Sequence, residues 1–403
     1  MQRGSEHRIV MSTDIYILGG ARTPMADYTG KLKDFSALDL GAIASRAALE
    51  RTGVAPAMVD HVVFGNVLQS SPDAVYGARH IGLRAGLPVE TPALTVNRLC
   101  GSGIQAAIDG GQMIRLDEAG IVLTGGTESM TQAPHVVRGL RTGLRLGQGQ
   151  LEDSLWTALL DTHCGCTMAA TAENCAATYG IARDEQDRYA LRSQERAASA
   201  WADGRLKEEV VAVEIKSRKG VELFAQDDHL RPDSTLEGLA KLPPAFSKNG
   251  CVTAGNASGI VDGAAALMLA SAGAVRTHGL KPLGTLVQWA TVGVEPSLMG
   301  MGPAPATRRV LEKAGLQLKD IDLIEINEAF AAQYLAVEKE LGLDRDRVNV
   351  NGGAIALGHP LAMTGTRLLL TLLLELRRRG LRRGLAAACI GGGQGIAAVV
   401  EVH

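Results

Sequence analysis

Short apolar runs bounded by glycine alternate, through most of the chain, with stretches in which apolar residues recur at helical spacing. Residues 14–18, 59–64, 93–99 and 121–124 read as buried strands. Residues 37–51, 74–85 and the stretch from Ile104 onward read as helices, the first closed by Gly53. This alternation predicts an α/β protein with a mostly parallel sheet and helices packed on it. The rhythm breaks at residues 130–245, where polar loops surround a helix at 171–179, a long amphipathic helix at 184–202 and a charged strand-like stretch at 210–217. That region is expected to be an inserted lobe, the kind of element that selects substrate on a rigid scaffold. From Asn249 the glycine-rich apolar style returns.

The second half echoes the first. Leu49-Glu50-Arg51-Thr52-Gly53 leads through Asp60 to Val62-Val63-Phe64, and Leu311-Glu312-Lys313-Ala314-Gly315 leads through Asp322 to Ile324-Glu325-Ile326. Val96-Asn97 is echoed by Val350-Asn351, and residues 121–126 by 386–393. Three echoes in one order predict a duplicated α/β unit.

Composition narrows the class. With 403 residues, 46% hydrophobic and 21% charged, the chain has ample core for two or three domains. Its 48 glycines and 3% aromatic content point to closely packed layers in which backbone approaches backbone. A formal net charge of −2 argues against a general nucleic-acid binder. The six cysteines are scattered without a disulfide framework, so a reducing, cytoplasmic setting is expected. The apolar run 368–376 contains Glu375 and reads as a buried helix, so no membrane span is expected. Residues 1–10 are polar and read as an N-terminal extension.

Candidate chemistry begins at residues 92–107, which read as strand, tight turn and helix with Cys100 at the turn. Gly101 and Gly103 permit the turn, and the positive end of the following helix is expected to lower the thiol pKa. Three further loops follow predicted strands in the second half: Asn327-Glu328-Ala329-Phe330, Gly358-His359-Pro360 and Cys389-Ile390-Gly391-Gly392-Gly393. Such loops fall at the carboxyl ends of strands, where α/β sheets place ligands. If the halves pack as pseudo-twofold mates, Cys100 faces all three. His359 is then placed to take the Cys100 proton. Cys389, with an ordinary pKa of about 8.5, can act as a second acid or base. Asn327 can orient a water or donate to an oxyanion, and the N–H groups of Cys100 and Gly391 can form another oxyanion site. Together these parts describe acyl transfer through a thioester. Residue by residue, structural readings stay open: a packed cysteine, a loop histidine, a turn asparagine. His163, Cys164, Cys166 and Cys175 lack the paired spacing of a structural zinc site, so no metal is expected. The run from Arg377 to Arg383 reads as a solvated helix C-terminus.

Six ordered motifs resemble those of the thiolases, the acyl-CoA acetyltransferases: residues 97–103, 125–130, 252–259, 327–330, 353–360 and 389–393. The resemblance covers the chain from Asp14 to its end. It implies a duplicated, five-layered αβαβα fold with an inserted loop domain: residues 11–129 and 246–280 as one α/β half, 130–245 as the CoA-binding lobe and 281–403 as the other half. It implies Cys100 as the acylated nucleophile, His359 as its activator and Cys389 as the acid/base toward the second acyl-CoA. Asn327, with His359 and a water, resembles one oxyanion hole, and the N–H groups of Cys100 and Gly391 the other. Arg231 resembles the residue near adenine and Ser258 the one near pantetheine; Leu159, Met168, Met299 and Phe330 are expected to line the acyl pocket, with Phe246, Ala254 and Ala329 completing the substrate contacts. CoA and acyl-CoA are the implied partners, no cofactor is required, and the assembly implied is a homodimer or homotetramer. The family usually has Gly where Ala169 and Ala362 stand, and many short-chain biosynthetic members have His at Thr167. The implied reaction is reversible Claisen condensation, acetoacetyl-CoA being formed or cleaved, with a longer-chain 3-oxoacyl-CoA thiolase as the alternative. A rival of another class is a non-catalytic acyl-CoA or lipid binder on the same fold, and Cys100 with Cys389 also suggests a redox switch added to catalysis.

Overall fold

The structure is a computed structural model that describes residues 14–144, 146–218 and 220–403, so the expected extension at residues 1–10 lies outside the described residues. Nine strands form the central path of the large sheet. In the first half they are β1 (Ile15–Arg22), β2 (His61–Gly65), β3 (Ala93–Val96), β4 (Ile121–Glu128) and β5 (Val261–Ser271). In the second they are β6 (Gly284–Gly293), β7 (Leu323–Ile326), β8 (Arg383–Ile390) and β9 (Gln394–Glu401). The halves join where β1 pairs antiparallel with β6. Outward from that join the first half runs β1, β5, β4, β2, β3 and the second β6, β9, β8, β7, with Val348 bridging Ile324 where a fifth strand would lie.

Strand directions repeat as well as order. In each half the two outer pairings are parallel and the two nearer the join antiparallel. The sheet is therefore mixed, which corrects the expectation of a mostly parallel one. The reason is connection length: β8 returns as β9 through the tight turn at residues 391–393, and only antiparallel neighbours can be joined so briefly. The echoed aspartates explain the shared register. Asp60 accepts hydrogen bonds from the backbone N–H groups of Gly120 and Ile121, and Asp322 from those of Arg382 and Arg383, so each aspartate fixes where a central strand begins.

Seven helices matter for the site: α1 (Ala37–Thr52), α2 (Ser102–Arg115), α3 (Met168–Tyr179), α4 (Arg183–Ala202), α5 (Pro303–Ala314), α6 (Ala331–Leu341) and α7 (Leu361–Arg379). α1 starts from a capping box of Ser36 and Asp39 and ends on Gly53 at φ 69°, as its sequence signals predicted. It packs on the first half's sheet in a core with Leu38, Phe64 and Leu123. α2 and α7 lie between the sheets of the two halves, sharing a core that draws Val63 and Leu267 from one and Ala388 and Val400 from the other. α5 and α6 cover the far side of the second half. Five layers result.

Glycine makes the middle layer possible. A Cβ on Gly103 would stand 2.4 Å from the Thr366 backbone nitrogen, and one on Gly365 2.5 Å from that of Ile104, so α2 and α7 cross with backbone against backbone. The pairs Gly19-Gly20 and Gly125-Gly126, which mark strand ends in the sequence reading, instead lie inside β1 and β4. A Cβ on Gly20 would come within 2.2 Å of the Ala266 carbonyl oxygen and one on Gly126 within 1.9 Å of that of Ala362. Residues 130–245 hold short two-stranded ribbons together with α3 and α4. α3 begins three residues before its expected start because the Thr167 hydroxyl accepts the Ala170 N–H and caps it.

Candidate active site

Cys100 sits in a short 3₁₀ turn, Leu99–Gly101, that runs directly into α2. The turn is held from both sides. Asn97 Oδ1 accepts the Leu99 N–H, while Ser102 Oγ accepts the Arg98 N–H and donates to the Leu99 carbonyl. Leu99 is thereby kept at φ 46°, in the left-handed region that a branched side chain rarely adopts, and such strain persists where the surroundings over-determine it. Gly101 lies against Ile390, where a Cβ would come within 2.6 Å of the Ile390 side chain, so the Cys100 turn is seated on the end of β8.

The second half supplies the other groups. Asn327 follows β7 and its N–H is bonded to the Ala387 carbonyl on β8. Its carboxamide Nδ2 lies 3.2 Å from His359 Nε2, and its Oδ1 is buried with no hydrogen-bond partner among the described residues. His359 Nδ1 lies 2.6 Å from Thr364 Oγ1. Burial, reinforced by the Arg367 guanidinium, lowers the His359 pKa to about 3, so the imidazole is neutral near pH 7.

The thiols shift the other way. Cys100 is partly buried, and the desolvation of its thiol raises its pKa to about 11; N–H groups of Gly391 and of Cys100 itself partly offset this, while Glu128 adds to it. The expected lowering by the helix terminus is thus not the net result: desolvation outweighs the dipole. Cys389 is fully buried at the end of β8, and burial followed by the neighbouring Cys100 pushes its thiol well above the ordinary value. Both sulfurs are protonated at rest.

Glu128, inside the motif at residues 125–130, has a structural role that the sequence alone did not announce. It is fully buried at the end of β4 and accepts from Asn66 Nδ2 and from the N–H groups of Val67, Leu68 and Ala362. Burial lifts its pKa to about 7. Through Ala362 it ties the first turn of α7, just after His359, to the first half. Of the departures from the family pattern, Thr167 caps α3 with its hydroxyl, and Ala362 keeps the backbone N–H that Glu128 accepts.

A cavity of about 300 Å³ opens beside His359. Of the residues expected to contact substrate, Leu159, Met168, Phe246, Ser258 and Phe330 line it, as does Ala169. Three do not. Met299 is buried in the core of the second half, Ala254 is on the surface, and Ala329 is buried behind Ser258, whose N–H its carbonyl accepts. Arg231 is exposed and paired with Asp27 at 2.7 Å, apart from the cavity lining. Unforeseen wall residues include Tyr28, Met130, Leu155, Trp156 and Leu361. Leu155 and Trp156 lie on a five-residue helix, too short for an apolar period to announce. Among the described residues no group of three or more His, Cys, Asp or Glu is arranged to hold a metal, and no helix is long and apolar enough to cross a membrane.

Residues 15–273 match the family Thiolase, N-terminal domain, and residues 280–402 match Thiolase, C-terminal domain. The chain is 54% identical over 388 residues to a human protein named 3-ketoacyl-CoA thiolase, mitochondrial, covering 96% of this chain and 98% of that one. It is 48% identical over 390 residues to the acetyl-CoA acetyltransferase of Pseudomonas aeruginosa, covering 95% and 98%. The crystal structure of the human mitochondrial enzyme in complex with CoA superposes with a TM-score of 0.94 at 53% identity, covering 97% of this chain and 98% of that one. Five relatives at 52–54% identity are all named mitochondrial, which overturns the expectation of a cytoplasmic enzyme. With both family domains matched across nearly its whole length, the chain belongs to the thiolase family.

Proposed function

We propose that this thiolase transfers acyl groups between CoA and Cys100. The neutral His359 takes the Cys100 proton at Nε2, the sulfur attacks the thioester carbonyl, and CoA leaves as the thiol with that proton. Cys389 passes its proton to His359, by then neutral again, and as thiolate removes the α-proton of acetyl-CoA; the carbanion attacks acyl-Cys100, and Cys100 departs from the new 3-oxoacyl-CoA and takes the proton held by His359. Thiolysis runs the same steps backward. Asn327 with His359, and the N–H groups of Cys100 and Gly391, stabilise the oxyanions. The observation that carries this reading is the seating of the Cys100 turn on Ile390, where a Cβ on Gly101 would come within 2.6 Å, because it brings the nucleophile of one half onto the loop that begins with Cys389 in the other.

CoA thioesters are the proposed substrates, with Ser258 and Phe246 on the pantetheine side and Arg231 toward the nucleotide. Acetoacetyl-CoA is the proposed 3-oxoacyl substrate. A second reading, thiolysis of longer 3-oxoacyl-CoA, is favoured by the wall of Met130, Leu155, Leu159, Met168 and Leu361, since apolar area pays the acyl chain about 0.8 kcal/mol per buried CH₂. Assembly as a homodimer or homotetramer is proposed with β3 as an edge that exposes Leu94. Brief mixing with acetyl-CoA should add one acetyl group to the intact mass of the parent and none to Cys100→Ala. An equal gain in both would remove Cys100 as the acylated residue. Thiolysis rates across a 3-oxoacyl chain-length series then decide between the two substrate readings.

A further inference from the structure

The imidazole of His359 can serve Cys100 only if Nε2 carries a lone pair, and the proton must then reside on Nδ1. What faces Nδ1 is Thr364, five residues on in the first turn of α7. Its Oγ1 lies 2.6 Å from Nδ1 and 3.1 Å from the Pro360 carbonyl oxygen, and the side chain is 1% exposed. A carbonyl can only accept, so the hydroxyl hydrogen is directed at Pro360 and the hydroxyl lone pair at Nδ1. On the other side, Nε2 meets Asn327 Nδ2, whose amide hydrogens can only donate to it. The two contacts agree in direction: Pro360 carbonyl, Thr364 hydroxyl, Nδ1–H, and then Nε2 as acceptor.

We propose that Thr364 is the positioning residue that fixes the His359 tautomer, acting as a neutral counterpart of the carboxylate found behind histidine in other nucleophilic dyads. It touches no substrate and works through the ring. With Thr364 in place, the proton stays on Nδ1 while Nε2 alternately takes and returns the sulfur's proton. A neutral orienting group suits this pocket, because the enclosed imidazole resists gaining charge.

The inference rests on His359 acting as the base, so the test separates the two. Ring-¹⁵N-labelled histidine in the unaltered enzyme is read by NMR near pH 7. A proton on Nδ1 of His359, assigned by its loss in His359→Ala, is expected; a proton on Nε2 overturns the proposal with no variant of Thr364 needed. Thr364→Val, which keeps shape and removes the hydroxyl, should slow Cys100 acetylation on the order of 10- to 100-fold with KM little changed, the size expected when a buried N–H loses its acceptor. Thr364→Ser should restore the rate to within about threefold, a difference below 1 kcal/mol. Wild-type acetylation in Thr364→Val, or a Ser variant as slow as the Val one, overturns the assignment. Absence of acetylation in the parent would instead defeat the reading of Cys100 and His359 while leaving the tautomer result standing.

Discussion

The two halves meet at Gly103 and Gly365, and the residues just ahead of those glycines repay comparison. Ser102 and Thr364 each stand one residue before the crossing glycine, in the first turn of α2 and α7. Ser102 Oγ turns back 2.7 Å to the Leu99 carbonyl and receives the Arg98 N–H at 2.9 Å. Thr364 Oγ1 turns back to the Pro360 carbonyl and meets an imidazole in place of an N–H. The same hydroxyl steadies a cysteine-bearing turn in one half and a base in the other. The sheet teaches the same lesson. Phe64 pairs with Gly125 in the first half as Ile326 pairs with Ala387 in the second, so Asn327 and Cys389 occupy the places of Gly65 and Thr127. Duplication supplied the frame; the chemistry lies in what each copy put at the ends of shared elements.

The largest effect follows from that asymmetry. Cys389→Ala should leave acetyl capture on Cys100 intact while lowering condensation by about 10²- to 10⁴-fold, the usual contribution of a positioned acid/base. Its counterpart Thr127 only donates to the Ala37 carbonyl at 2.5 Å, so Thr127→Ala should cost about 1 kcal/mol of stability and leave turnover close to the parent's. Stopped-flow thiolysis beside intact-mass analysis reads both. Normal condensation by Cys389→Ala would show that the second half's sulfur is not the acid/base.

The crossing itself can be tested for symmetry. Gly103→Ala and Gly365→Ala each push a methyl to 2.4–2.5 Å of backbone nitrogen on the opposite helix. Neither neighbour is a flexible side-chain tip, so each should lose about 1–3 kcal/mol in urea unfolding. Similar losses support a shared crossing; a loss confined to one glycine would break the equivalence.

Acid should separate the halves by their titrating groups. The folded-state pKa of His359, about 3, lies below the roughly 6.5 of an unfolded chain. Between those values the unfolded state holds the extra proton, so the stability associated with this group is full above about pH 6.5 and is lost as the pH falls toward about 3. The same shift keeps the base neutral, and the acetylation rate should therefore show no break near pH 6.5. A break there, absent in a His359 variant of measurable rate, would mean that the ring is solvated before substrate binds.

How much of this was legible depended on how local each cause was. Asp60 and Asp322 were readable as an echo, because each sits just before a strand in a repeated run, but not as register-setting groups, because the N–H groups they hold lie on strands 60 and 61 residues further along the chain. The turn at Cys100 and the loops at Asn327, His359 and Cys389 were readable because each motif is contiguous, whereas the wall residues Leu159, Met168 and Phe330 were expected from the family resemblance and not from a local pattern. Strand direction was not readable: β5 enters after the lobe, and nothing in its residues records the side from which it comes. The Cys100 pKa was misjudged because a helix terminus is visible in sequence whereas the burial that outweighs it comes from distant chain. Thr364 belongs to the same class; an i to i+5 contact between a histidine and a helix hydroxyl has no periodic signature.

The smallest effect sharpens the comparison most finely. Ser102→Ala removes two hydrogen bonds from the Cys100 turn, yet Asn97 still accepts the Leu99 N–H and the Gly101 N–H still reaches the Arg98 carbonyl at 3.0 Å. The turn is held redundantly where the imidazole is held singly on its Nδ1 side. Ser102→Ala should therefore cost about 0.5–1.5 kcal/mol in unfolding and slow acetylation less than Thr364→Val does. Equal or greater slowing by Ser102→Ala would mean that the strained Leu99, released from φ 46°, carries the thiol out of reach, and that the first half's hydroxyl matters to the chemistry as much as its partner.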